Sequence, residues 1–169
     1  MSSDIAPAAI VSLISAVALA YFHHWIADWS EFILVGTTMF FIIPLGALML
    51  GFGGAIGFYV AVKNATHLEP GGLFMLCAAA FGLFSLYLTY LIMYYYSPYY
   101  DLDVGFWPYL ASVAHSKGIF FVGHHEGHIY SAHHVGEVED IGFLGWVSLI
   151  VQPIGAALGG VAAALTPAS

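Results

Sequence analysis

Four stretches of this chain, Ile5 to Ile26, Phe32 to Val62, Leu73 to Tyr96 and Ile141 to Leu165, contain no Asp, Glu, Lys or Arg. Each reaches the roughly 20 residues of helix, at about 1.5 Å per residue, that cross a hydrocarbon layer about 30 Å thick. No water enters that layer, so every backbone N–H and C=O must find a partner inside the protein, which only helices and closed barrels achieve. The runs lack the strict apolar/polar alternation of barrel strands. The chain therefore reads as an all-α integral membrane protein, a four-transmembrane-helix bundle forming one membrane domain over residues 1–169. Helices are expected at about 5–26, 32–62, 73–96 and 141–165, with a structured extracytoplasmic loop at 97–140. Ala18-Leu19-Ala20 has the form of a signal-peptidase site, but the run follows Asp4 with no cationic region before it, so it is read as a retained helix.

Composition closes off other classes. Charged residues make up 7% of the chain, against roughly a quarter in soluble domains. Two Lys+Arg residues against ten acids give a net charge of −8, so no basic stripe exists to neutralise a phosphate backbone, and nucleic-acid binding is excluded. Cys77 is the single cysteine and falls inside the third run, which removes any intrachain disulfide and any thiolate cluster.

The second run would be about 46 Å long as a straight helix, more than the layer it crosses. Pro44 deletes a backbone donor and crowds the carbonyl four residues earlier, which predicts a kink over Phe40 to Pro44. Beyond it, Gly53 and Gly57 have the small-xxx-small spacing that admits a second helix, and Gly155 and Gly159 repeat the spacing in the fourth run. Contact within the chain's own bundle is the expected use of both pairs. Gln152, just before Pro153, is the one strongly polar side chain deep in a run. It is expected to bond a neighbouring helix or the carbonyl that the proline frees.

Lys63 ends the second run, and the positive-inside rule places that end, with both termini, on the cytoplasmic side. An even number of crossings then puts the turn holding His23, His24, Asp28 and Glu31 on the same face as the 97–140 connection. All histidines but His67, and all acids but Asp4 and Glu69, fall there. Tyr94, Tyr95, Tyr96, Tyr99, Tyr100, Trp107 and Tyr109, with Trp25 and Trp29, read as an anchoring girdle at the interface.

The long connection exceeds the roughly 15 residues beyond which loops carry structure or function. Phe106 to Leu110 is apolar enough to lie in the headgroup layer. Ile119–Val122 and Ile129–Ser131 flank a polar piece containing Gly127, which suits a short β-hairpin, with a short helix as the competing reading. Either would bring His124 and His128 together, four apart on a helix or across a tight turn. His133, His134 and His115 are candidate third and fourth metal ligands, with Glu126 or Glu137 as carboxylate and His23 and His24 as more distant contributors. Imidazole and carboxylate without thiolate favour zinc or oxidised copper. The competing reading is a hydrated histidine loop that titrates near pH 6.5. His125-Glu126-Gly127-His128 is one residue short of the zinc-protease H-E-x-x-H.

The runs hold no ionisable station for a pump, no histidine deep enough to ligate a haem, and no lysine for a Schiff base. Ile43-Pro44-Leu45-Gly46-Ala47, Gly136-Glu137-Val138, and Gly142 leading into Leu149–Gln152 and Gly159-Gly160 resemble a widespread group of small bacterial membrane proteins with four predicted spans. The resemblance implies a bacterial inner-membrane location and topology and carries no activity. The expected role is a small non-catalytic integral subunit, packed in lipid against larger membrane partners or copies of itself. The alternative is a metal-handling protein, or a component of a metal-dependent membrane oxidase or hydroxylase.

Overall fold

The computed structural model describes residues 2–30, 44–64, 70–115, 122–125, 128–131 and 142–166. In chain order the elements are α1 (Ser2–Ser30), α2 (Leu45–Gly54), α3 (Ile56–Asn64), α4 (Gly72–Tyr95), α5 (Pro98–Asp101), α6 (Phe106–His115), strands β1 (Val122–His125) and β2 (His128–Ser131), and α7 (Gly142–Leu165). Among the described residues two helical segments, Ile5–Ala27 and Gly72–Tyr95, are long and apolar enough to cross a membrane, and α2 with α3 makes a third if the bent pair is one span. The apolar part of α7, Leu149–Leu165, is shorter. The chain is thus a helical, membrane-associated protein.

The pattern of burial follows from the solvent. In lipid, apolar side chains gain nothing by turning inward, so helices associate where small residues let backbones approach. The buried face of α1 is Ala8, Ser12, Ala16, Ala20, His23 and Ala27, small at every position but His23. On α7 it is Gln152, Gly155, Ala156, Gly159, Gly160, Ala163 and Ala164. Large side chains such as Ile10, Ile14, Phe22, Trp25, Ile150, Ile154 and Leu158 are exposed.

Contacts between these faces fix the helix directions. Gly57 lies on the Ala8 carbonyl and Gly53 beside Leu19, so α1 runs antiparallel to the α2–α3 pair. Gly155 meets Pro44 and Gly159 meets the Leu48 carbonyl, so α7 runs parallel to α2. Gly82 meets Ala156 and Gly160 meets Ala78, so α4 is antiparallel to α7. A methyl group at Gly51 or at Gly82 would overlap the same Ala156 carbonyl, which makes that residue the point where α2, α4 and α7 come closest. Ala47, Leu50, Leu86, Tyr90 and Met93 form the core toward the end where α1 and α4 finish. Phe58, Phe74, Ala78 and Val62 form it toward the other.

The second apolar run bends at Ala55, and the kink expected over Phe40 to Pro44 lies outside the described residues but for Pro44 itself. That proline stands just before α2, and the axis turns by 56° between α2 and α3. Four glycines around the turn, Gly51, Gly53, Gly54 and Gly57, let its two halves press against different neighbours. The backbone groups released there are taken up by α1. Ser15 Oγ donates to the Gly53 carbonyl at 2.7 Å, and the Gly57 N–H donates to Ser12 Oγ at 3.1 Å. Such side-chain rescue is what allows a helix to break inside a membrane protein.

Gly82→Ala and Gly51→Ala should each destabilise the bundle by about 1–3 kcal/mol, the cost of overpacking a close contact. Gly72→Ala, where an added Cβ meets open space, should not destabilise it. Thermal unfolding of the three variants in one detergent checks this, and equal behaviour of all three would contradict it.

Candidate functional site

Among the described residues, a cluster of buried polar and aromatic side chains lies at the end of the bundle where α1 and α4 finish. Gln152 is fully buried on α7, one position before the proline that interrupts that helix's hydrogen-bond ladder. Its Oε1 accepts a hydrogen bond from the Tyr90 hydroxyl of α4, which is also buried. The amide therefore bridges to a neighbouring helix. Thr89 Oγ1 donates back to the Ser85 carbonyl at 2.9 Å, so this hydroxyl too is spent inside the fold.

Above this pair sits α6. Tyr109 is buried in the same core as Tyr90 and Met93. Its ring centroid lies 5.4 Å from Tyr94 and 5.6 Å from Tyr99. Burial, with the neighbouring Tyr90 and Tyr99, pushes the Tyr109 phenol up, so it stays protonated. The path into α6 is tight. Tyr94 Oη donates to the Val104 carbonyl at 2.6 Å, the Val104 N–H to the Tyr99 carbonyl at 2.9 Å, and Asp103 takes φ 55 to make the turn.

The expected girdle is therefore divided. Tyr95, Tyr96, Tyr100, Trp25, Trp29 and Trp107 are exposed in the manner of interfacial anchors, whereas Tyr109 is a core residue and Tyr94 packs against it. The segment from Phe106 is a helix whose Tyr109 is buried in the core with Leu86, Tyr90 and Ala156.

His23 and His24 belong to α1 and not to a turn. His23 is 3% exposed and falls within the apolar span, so this run does carry a titratable group inward. The signal was present in the sequence. Ala8, Ser12, Ala16 and Ala20 recur every four residues, and the stripe they define continues to His23. His24 is half-buried, its ring stacked on Tyr96 at 4.3 Å between centroids.

β1 and β2 pair antiparallel, with His125 opposite His128 and His124 opposite Ile129. The cross-strand partner of His128 is thus His125, and the expected His124–His128 juxtaposition across the turn is replaced. Pairing His124 with His128 would need three residues between the strands; the observed register leaves two and is shifted by one. Both strands pack against α1. His115 is the last residue of α6, while Glu126, His133, His134 and Glu137 lie outside the described residues. Among the described residues no three His, Cys, Asp or Glu side chains converge as a metal-binding group.

No family model, curated protein or solved structure matches the chain.

If the Tyr90–Gln152 bond helps hold α4 to α7, Tyr90→Phe and Gln152→Leu should each cost stability, with a coupling of about 0.6–1.7 kcal/mol in a double-mutant cycle. Unfolding in detergent measures the cycle, and strictly additive losses would show that the bond contributes nothing.

Proposed function

We propose that the chain is a small, non-catalytic integral membrane subunit of four spans. Both termini lie on the cytoplasmic side of a bacterial inner membrane, and a cap built from residues 97–140 lies on the other. One observation carries the reading: the interior is closed by backbone contact at Gly51, Gly57, Gly82, Gly159 and Gly160. The buried polar pair of Tyr90 and Gln152 is spent on holding helices together. That interior suits a scaffold better than a substrate path, which calls for polar stations at mid-membrane.

Gly53, Gly57, Gly155 and Gly159 all face this chain's own residues. Larger membrane partners, or further copies, would then be met through outward faces such as the one bearing Phe22, Trp25 and Trp29, whose rings stack in series at 6.1 and 6.3 Å. In mild detergent the protein should purify as an assembly of fixed stoichiometry, and Trp25→Ala with Trp29→Ala should loosen that assembly without unfolding the chain. Light scattering coupled to size exclusion reads both, and a single chain per micelle at every detergent concentration and in lipid nanodiscs would refute the proposal.

A second reading, metal handling with zinc or copper, is favoured by the strand register, which sets two histidines opposite each other.

A further inference from the structure

After α4 the chain turns back along the helix it has just completed. Phe106, the first residue of α6, sets its ring centroid 5.6 Å from Tyr94 and 5.8 Å from Tyr87. Tyr87 stands about 12 Å of helix before the end of α4 at Tyr95. Helical side chains lean toward the N-terminus, which sets the contact lower still. Tyr109, further along α6, is buried in the same core as Leu86 and Tyr90 of that stretch. α4 is long and apolar enough to cross a membrane over Gly72–Tyr95, so α6 begins within the leaflet in which α4 ends.

A turn at that depth has little water to satisfy its backbone and must do so from within the protein. The Ser97 N–H donates to the Tyr94 carbonyl at 3.0 Å, the Tyr100 N–H to the Ser97 carbonyl at 3.1 Å, and the Asp103 N–H to the Tyr100 carbonyl at 3.1 Å. Val104 donates its N–H to the Tyr99 carbonyl and accepts from the Tyr94 hydroxyl. The exposed side chains are sorted by polarity. Asp101 and Asp103 stand at the turn, whereas Trp107, 75% exposed, follows the phenylalanine that reaches down to Tyr87. α6 packs on α7, whose exposed side chains toward the same end, Trp146 and Ile150, are apolar. Trp107 therefore continues a surface that faces lipid.

We propose that α5 and α6 form a re-entrant elbow seated in one leaflet, with Trp107 against the upper acyl chains of phospholipids and Asp101 and Asp103 among their headgroups. The indole suits that boundary, being apolar over most of its surface with one N–H donor for the wetter side. The cap is thereby rooted in the bilayer rather than standing clear of it. This goes beyond the subunit reading and requires only that α4 is a span.

The test is tryptophan quenching in the full chain reconstituted into phosphatidylcholine vesicles. Trp25→Phe, Trp29→Phe and Trp146→Phe together leave Trp107 as the only tryptophan. Lipids brominated on the upper acyl chain should quench its emission at least about 2-fold more than aqueous iodide does, as befits an indole beneath the headgroups. The difference between the unaltered chain and Trp107→Phe gives the same quantity without relying on the triple variant to fold. Stronger quenching by iodide than by brominated lipid would place the elbow in water and overturn the proposal. Resistance to both quenchers would put a protein partner over Trp107 and overturn it as well. Leu83→Trp, made in the triple variant with Trp107→Phe added, reports α4 itself from an exposed position. Lipid quenching at that position but not at Trp107 removes the elbow and leaves the span standing, whereas its absence at both removes the span too.

Discussion

Everything in this fold depends on how closely helix backbones approach one another at Ala156. Hydrocarbon surrounds the bundle, so burying large apolar side chains yields no hydrophobic gain, and cohesion comes from dispersion between backbones and from hydrogen bonds across helices. Gly51 and Gly82 reach the Ala156 carbonyl from two sides, and Gly159 reaches Leu48. With those contacts made, Ile10, Ile14, Ile150 and Ile154 are left to face outward, the reverse of a water-soluble core.

The same close approach explains where polarity is tolerated. The turn at Ala55 releases backbone groups that Ser12 and Ser15 take up, and the proline-broken ladder of α7 has Gln152 beside it, tied to Tyr90. Each polar side chain here answers a local demand of the backbone or of a neighbouring helix. Among the described residues, one end gathers the buried Tyr109 of α6 with His23 and His24 of α1. The bundle closed by these contacts is the arrangement from which the subunit reading is drawn.

The helical membrane class was legible from the uncharged runs alone, because length and charge exclusion are one-dimensional properties. The Ala55 bend was not. The glycines that surround it respond to contacts with α1, α4 and α7 that no local rule contains. His23 could have been found by following the four-residue recurrence of Ala8, Ser12, Ala16 and Ala20. The expected helix over 5–26 already contains both histidines, and grouping them with Asp28 and Glu31 as a turn hides that they belong to it. The pairing of His125 with His128 was hidden for a different reason. A spacing of four satisfies a helix face and a three-residue hairpin loop equally, and only the register distinguishes it from a spacing of three.

The central claim is an even number of crossings that unites the end of α1 with the cap on one side and places Lys63 and Thr166 on the other. Single cysteines at Lys63, Thr166, Trp29 and Asp101, in a Cys77→Ser background, report this through a membrane-impermeant maleimide applied to right-side-out and inverted vesicles. The account predicts labelling of the first two from the cytoplasmic surface alone and of the second two from the opposite surface alone. Labelling of Lys63 and Thr166 from different surfaces, or of Trp29 and Asp101 from different surfaces, would contradict it.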